Sequence, residues 1–196
     1  LVGALHGYSK FASLLKDQNN IHWERFTLQG TNDVPADCQL LIIAGPQIPF
    51  TDIELGKVES YLKQGGRLLA LLNNMARGTN SGLEKVLAKW GVEVADNIVF
   101  DARFSPTSSG YDLFTAQLSN EHPVVKPLVP ESLQIRLVLP RAIWNIKSSA
   151  PNPDAPKVDL LAATSDGGTE ATEIRNGTPY RNPYRDRKGV FPLMVA

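Results

Sequence analysis

The side chains best suited to bind a ligand stand in two polar loops, each directly after an apolar segment. The first loop is Gly45-Pro46-Gln47. The second loop, from Asn73 to Ser81, carries Arg77 and leads into a predicted helix. An arginine beside the free amides of a helix N-terminus favours an anion. An ordinary polar connection that ends in a helix-capping serine is the alternative. The candidate ligand- or partner-binding residues in the two loops are Gly45, Pro46, Gln47, Asn73, Asn74, Arg77, Thr79 and Ser81.

Two charged regions outside these loops are further candidates. Asp101 and Arg103 stand where a predicted strand ends, and they form either part of a site or a simple surface pair. The segment from Arg175 to Lys188 concentrates arginines around Tyr180 and Tyr184. Because arginine and tyrosine are frequent in interfaces, this segment is either a solvated loop or a contact for a partner or a membrane headgroup.

Common catalytic and nucleotide-binding patterns are missing from the sequence. No G-x-G-x-x-G segment follows a strand and no Walker A motif occurs, so a P-loop ATPase is not expected. The single cysteine, Cys38, precedes its apolar strand, at the wrong end of a sheet for a nucleophile. His6, His22 and His122 lack the i, i+4 spacing of a helical metal site. We expect no metal and no cofactor.

The elements that must position these loops alternate between strand and helix. Leu40–Ala44 is apolar at every residue, which is typical of a strand covered on both faces in a parallel sheet. Arg67–Leu72 predicts a second strand. A capping box at Thr51 and Glu54 opens the helix between them, and Gly65 supplies the left-handed residue at its end.

A second helix and further strands follow the polar loop. Ser81 and Glu84 predict another capping box, and apolar residues at helical spacing predict a helix that ends at Gly91. Strands are expected at Val92–Val94 and Asn97–Phe100. Short connections between alternating strands and helices imply right-handed crossovers. The sequence therefore predicts an α/β fold with a doubly wound, mostly parallel sheet.

The two ends of the chain depart from this alternation. Tyr8 to Leu15 predicts a short amphipathic helix, and Ile21–Leu28 is β-rich. After Asp101, prolines and short apolar runs predict a strand-rich extension. We predict an α/β core over 1–101 and an extension over 102–196 that packs on it. The strand candidates of the extension are Gln134–Ile146, broken at Pro140, Val158–Thr164 and Gly189–Ala196.

Composition excludes several classes of protein. The 196 residues carry 20 basic and 20 acidic side chains, so the basic footprint of a nucleic-acid binder is missing and no nucleic-acid partner is expected. Apolar residues make up 42%, which argues against disorder. No apolar run approaches the roughly 20 residues of a bilayer span. The apolar start and strand-like end indicate a part of a longer polypeptide.

Several segments in order resemble the GldG-like auxiliary family of uncharacterised ABC-type transport systems, which includes gliding-motility proteins. The likeness runs from about Tyr8 to Trp144 and continues more loosely to the end of the chain. The segments that carry it are 37–47 (DCQLLIIAGPQ), 61–69 (YLKQGGRLL), 81–84 (SGLE), 90–94 (WGVEV) and His122-Pro123.

This resemblance implies an extracytoplasmic, periplasmic domain of a longer protein, tethered by flanking membrane helices and working with an ABC permease and ATPase. It further implies a GIFT-like core of flavodoxin or class I amidotransferase type. In the amidotransferases a nucleophilic cysteine follows the strand that corresponds to Arg67–Leu72. Here Asn73 and Asn74 occupy that turn. The amidotransferase reaction is therefore not expected.

Two hypotheses about function follow. In the first, the chain is a non-catalytic domain that binds a partner subunit, or a saccharide or other exported substrate. In the second, it is a divergent hydrolase or carbohydrate-binding enzyme that uses Ser81, His122 and Asp101. The second requires these three distant residues to converge within hydrogen-bond reach.

Overall fold

The computed structural model describes residues 8–72, 80–107, 112–146, 156–175 and 178–196. The chain divides into two units. The N-terminal unit takes Leu1–Gly45 and Thr51–Leu71, and the C-terminal unit takes Pro46–Phe50 and Leu72–Ala196. The expected division into 1–101 and 102–196 concerns domains and stays a prediction.

The N-terminal unit contains a parallel pair of strands and a long helix between them in sequence. Its elements are α1 (Ser9–Ser13), a π-helical turn (Leu14–Gln18), β1 (Leu41–Ala44), α2 (Asp52–Lys63) and β2 (Leu68–Leu71). Strands β1 and β2 pair in parallel, with Leu41 opposite Leu68. Both strands lie within the apolar runs that predicted them.

Helix α2 begins and ends as the sequence predicts. The backbone amide of Glu54 donates to Thr51 Oγ1 at 3.3 Å, and the amide of Thr51 donates to Glu54 Oε2 at 2.8 Å, which completes the capping box. Gly65 follows the helix with a φ of +86°, in the left-handed region that favours glycine. Leu55 and Val58 are buried and fix the inward face of the helix.

The predicted β-rich segment Ile21–Leu28 is not a strand in the structure. The backbone carbonyls of Leu28, Gly30 and Asn32 accept hydrogen bonds from Lys57 of α2 and not from a neighbouring strand. Lys57 Nζ donates three hydrogen bonds to backbone oxygens, a set that tethers this segment to the helix. The accepting carbonyls are those of Leu28 at 2.8 Å, Gly30 at 2.7 Å and Asn32 at 2.6 Å.

The C-terminal unit consists mostly of short strands. Its elements are α3 (Leu83–Lys89), β3 (Val92–Val94), β4 (Ile98–Phe100), β5 (Asp112–Phe114), β6 (Gln117–Leu118), a 3-10 turn (Lys126–Leu128), β7 (Arg136–Val138), β8 (Ile143–Asn145), β9 (Leu160–Ala163), β10 (Thr169–Ala171), β11 (Glu173–Arg175), β12 (Thr178–Tyr180) and β13 (Pro192–Val195). Its pairs are antiparallel: β3 with β8, β4 with β10, β5 with β7, β11 with β12, and β9 between β6 and β13.

The prediction of a doubly wound, mostly parallel sheet is wrong. Among the described residues β1 and β2 are parallel, and the remaining strands form small antiparallel sheets in a β-rich fold. Apolar runs report burial, but they do not report the direction of the neighbouring strand. After Phe100 the strands are two to four residues long, and no crossover helix separates them in the described part, so parallel pairing has no connection to support it.

The core of the C-terminal unit is built from several of these short strands. Val99 of β4 and Leu113 of β5 are fully buried, and Phe191 and Leu193 from the end of the chain pack with them. The ring of Trp144 meets Phe191 edge to face, with the centroids 6.0 Å apart. This cluster anchors the strands on which the polar groups described next are carried.

Candidate functional site

The first predicted loop begins at a tight turn after β1. Gly45 has a φ of +59°, and its amide donates to the carbonyl of Leu71 at 2.7 Å. A Cβ on Gly45 would lie 3.2 Å from the Tyr8 ring, so glycine allows this close approach. Pro46 is half-buried and Gln47 is exposed. These two residues belong to the C-terminal unit, whereas Gly45 belongs to the N-terminal unit.

Most of the second predicted loop lies outside the described residues. This part includes Asn73, Asn74, Arg77 and Thr79. Their proposed role in ligand or partner binding stays a prediction.

Ser81, at the end of that loop, is buried and takes a different role from the expected cap. Its hydroxyl donates to Glu84 Oε2 at 2.7 Å and accepts from the amide of Leu83 at 3.3 Å. Helix α3 instead begins after Gly82, whose φ is +86° and which provides no side-chain cap. The expected capping box therefore does not form, because the left-handed glycine turns the backbone before the helix starts.

Glu84 completes a buried polar cluster with Arg141. Arg141 Nη1 lies 3.0 Å from Glu84 Oε1, and Arg141 Nε donates to the carbonyl of Ala95 at 2.7 Å. Burial acts to raise the pKa of Glu84, but hydrogen bonds from Ser81 and Arg141 outweigh it and lower the pKa. The Ser81 hydroxyl is thus committed to a carboxylate that is itself paired.

Asp101 and Arg103, at the exit of β4, come together with the turn between β9 and β10. Asp101 is 1% exposed, and its carboxylate accepts from the amide and the hydroxyl of Ser165 at 2.8 and 2.6 Å. It also accepts from the amide of Arg103 at 3.1 Å. The guanidinium of Arg103 reaches Asp166 at 2.6 Å in an exposed ion pair. These two predicted residues form one cluster, and Asp101 holds the turn in place.

A third polar cluster was not singled out from the sequence. Glu170 on β10 accepts from Asn97 Nδ2 at 2.7 Å and from Arg187 Nε at 2.9 Å. Arg187 also lies over the rings of Trp144 and Phe191, at 5.1 and 5.8 Å from their centroids. Burial acts to raise the pKa of Glu170, but the bonds from Arg187 and Asn97 dominate and lower it to about 2.

The residues of the hydrolase hypothesis are not joined to one another by hydrogen bonds. Ser81 is bonded to Glu84, and Asp101 to Ser165 and Arg103. His122 Nδ1 accepts from the amide of Val124 at 3.3 Å within its own turn. The bonds of Ser81 and His122 serve a helix start and a local turn, whereas Asp101 fixes the distant turn at Ser165.

A metal centre and a membrane-spanning helix are both missing from the described ranges. No group of three or more His, Cys, Asp or Glu side chains is placed to hold a metal ion there. No described helix is long and apolar enough to cross a bilayer.

The N-terminal unit carries an exposed surface that the sequence pattern did not predict. The amphipathic pattern of α1 indicates a buried face, yet neither α1 nor the π-helical turn buries a residue. Trp23 Nε1 donates to the carbonyl of Ala12 at 2.9 Å and ties the following segment to α1. We call these side chains the N-terminal apolar surface; each is 37–49% exposed, and they are Tyr8, Phe11, Leu14, Ile21, Trp23 and Phe26.

Comparison with known proteins identifies a family and a similar fold among the solved structures. The solved structure of the mmIFT52 N-terminal domain is similar, with a TM-score of 0.56 and 17% sequence identity over 80% of this chain and 70% of that chain. At this identity the likeness concerns the fold alone. No curated protein matches the chain. Residues 8–135 match the family described as the ABC-type uncharacterized transport system. Because this match covers most of the sequence, the chain belongs to that family of auxiliary ABC transport proteins.

Proposed function

We propose that this chain is a non-catalytic, extracytoplasmic domain that binds the permease subunit of an ABC transport system. The N-terminal apolar surface is the observation that carries the proposal. Tyr8, Phe11 and Leu14 follow at helical spacing, and Trp23 is bonded to Ala12 of the same helix; exposed apolar groups brought together in this way mark interaction sites. The family match begins at residue 8, so it includes this whole surface.

The helix that presents this surface supports a binding role. Helix α1 and its π-helical turn cover Ser9–Gln18. Helices of this length are marginal in water unless an apolar face is packed. A partner that covers Phe11 and Leu14 would supply that packing, which gives the contact a thermodynamic reason.

The permease is the direct partner in this proposal, and the ATPase acts through it. ABC ATPases work at the cytoplasmic side, so an extracytoplasmic domain meets the permease first. A saccharide or other exported substrate would be a second ligand for the loop residues. The same proposal places the chain among the GldG-like components of gliding-motility systems.

The polar contacts of the C-terminal unit favour binding over catalysis. The hydroxyl of Ser81 and the carboxylate of Asp101 are both buried and bonded to neighbouring protein groups. A general base or nucleophile must reach its substrate within hydrogen-bond distance. Membership of this family of auxiliary transport proteins supports a non-catalytic role.

Co-purification of the membrane-tethered protein with its permease and ATPase in mild detergent tests the proposal. The double variant Phe11→Asp and Leu14→Asp places two charges on the N-terminal apolar surface, and we expect permease recovery to fall about tenfold or more. Val124→Asp with Leu133→Asp, at exposed apolar positions of the C-terminal unit, is the matched control. Equal recovery with both pairs of substitutions would reject the proposed surface.

Accessibility tests the proposed location. A protease added to intact spheroplasts should cleave the domain if it lies outside the cytoplasmic membrane. Protection until the cells are lysed would contradict that location.

A further inference from the structure

The turn between β12 and β13 is built around a fully exposed tyrosine. Asn182 Oδ1 accepts from the amide of Tyr184 at 3.1 Å, and the amide of Asn182 donates to Asp186 Oδ2 at 2.7 Å. Thr172 Oγ1 donates to Asp186 Oδ1 at 2.6 Å, which ties the turn to the strands below. Asp186 is buried, whereas Tyr184 is 99% exposed. We call residues 181–188 the tyrosine turn.

The cations of the tyrosine turn are left without acidic partners. In the described part of the chain, no ion pair or hydrogen bond engages the side chains of Arg181, Arg185 or Lys188, and all three residues are exposed. Glu93 acts on Arg187 of this turn, and four other acidic groups of the same unit are already bonded to other residues. Asp166 pairs with Arg103, Glu170 with Arg187, and Glu173 with Arg175, while Asp186 accepts from Thr172 and Asn182.

We propose that the tyrosine turn binds the headgroups of anionic lipids at the membrane beside the transporter. Cations that flank an aromatic ring with an apolar body and a polar tip are the composition of the membrane–water interface. Each Arg or Lys near an anionic leaflet adds to binding, and the contribution is screened by salt. This inference rests on the proposed function to the extent that the domain works beside a membrane.

The geometry favours a lipid surface over an acidic protein segment. Tyr184 is 99% exposed, so no neighbouring side chain provides a wall against which a peptide would pack. Protein hot spots lie in well-packed pockets that exclude water. A headgroup layer needs no such pocket, because it surrounds a side chain that projects from a rigid turn. Asn182 and Asp186 hold that turn, so binding costs little ordering of the protein.

Vesicle co-sedimentation of the 196-residue chain tests this proposal without the permease. We expect binding to vesicles of phosphatidylglycerol mixed with phosphatidylcholine, loss of binding at 0.5 M salt, and no binding to phosphatidylcholine alone. Arg181→Glu with Arg185→Glu should weaken binding about thirtyfold or more, and Tyr184→Ser should weaken it several-fold.

The matched control is Lys85→Glu with Lys126→Glu, which makes the same change in net charge at exposed positions of the same unit. This control should bind as the unmodified chain does. The proposal is overturned by equal loss in both double variants, by the absence of vesicle binding, or by capture on polyglutamate in place of vesicles. Detergent co-purification contains no vesicle, so failure here is distinguishable from failure of the permease contact.

Discussion

Charged side chains serve opposite purposes in the two units. In the N-terminal unit, Lys57 satisfies backbone carbonyls of an irregular segment, and the aromatic side chains nearby remain exposed. In the C-terminal unit, Glu170 and Asp101 lie below the surface and bind side chains and amides from distant parts of the chain. The first arrangement leaves large apolar side chains exposed. In the second arrangement the polar groups hold short strands together. The free energy of unfolding of the C-terminal unit should therefore fall markedly when a single buried charge is removed.

The largest expected effect is in the C-terminal unit. Glu170→Gln removes the carboxylate that Arg187 and Asn97 share, and breaking a buried pair costs several kcal/mol. Because the Arg187 side chain is 60% exposed and stays hydrated, we expect a loss of about 3 kcal/mol. Denaturant unfolding would measure it, and hydrogen exchange would show whether it is confined to this unit. Glu173→Gln, which breaks the half-buried pair of Glu173 with the exposed Arg175, should lose about 1 kcal/mol or less.

The second-largest expected effect is a loss of stability at low pH, caused by protonation of Glu170 in the same cluster. The pKa of Glu170 falls from an ordinary value near 4.5 to about 2 in the folded chain. Between these values the unfolded chain binds more protons, so this stabilisation is complete above pH 5 and is lost as the pH falls towards 2. We expect a loss of about 2 kcal/mol over that window after allowance for the hydrated Arg187. Unfolding of Glu170→Gln should show a correspondingly shallower pH dependence; an unchanged slope would contradict the assignment.

A smaller effect is expected at Lys57 in the N-terminal unit. Lys57→Met keeps the aliphatic stem but leaves the carbonyls of Leu28, Gly30 and Asn32 without their donor. Water reaches a half-buried site, so the expected loss is about 1–2 kcal/mol. Lys63→Met, which removes an exposed pair with Glu59 on the same helix, is the control. Faster hydrogen exchange across 28–32 in Lys57→Met alone would support the tether. Equal loss of hydrogen-exchange protection in both units would contradict a role of Lys57 confined to the N-terminal unit.

The smallest predicted change concerns the start of α2. Thr51→Ala removes the hydroxyl that accepts from the Glu54 amide, which should cost about 1 kcal/mol. Ser60→Ala, at an exposed position inside the same helix, should cost less because alanine favours helix interiors. Thermal unfolding compares the two variants. Equal melting temperatures would contradict the stabilisation of α2 by the Thr51 hydroxyl.

Local signals in the sequence located elements better than they located neighbours. The capping residues of α2 and the left-handed Gly65 and Gly91 act within a few residues, and all are found where predicted. Pro140 separates β7 from β8 as expected, since proline cannot donate to a strand ladder. The direction of pairing was missed because it depends on distant partners, which apolar runs do not specify.

The candidate residues show the same limit. Asp101 and Arg103 were found because a charged pair at a strand exit is visible in sequence. Their partner Ser165 was not, since it lies 64 residues from Asp101. Glu170 and Arg187 are 17 residues apart in a polar stretch with no periodicity, so no local pattern marks them. The exposure of the N-terminal apolar surface was also hidden, because a helical pattern identifies an apolar face without identifying what covers it.

The position of Trp144 gives this molecule an internal optical signal. Its indole lies beside both the ring of Phe191 and the guanidinium of Arg187, whose orientation depends on Glu170. A cation at about that range shifts the electronic levels of the ring through its electric field. Any event that moves Arg187, such as acidification or a vesicle docking at the tyrosine turn, should shift the fluorescence emission maximum of Trp144. In a chain that keeps Trp144 and replaces Trp23 and Trp90, fluorescence would follow the C-terminal unit alone in real time.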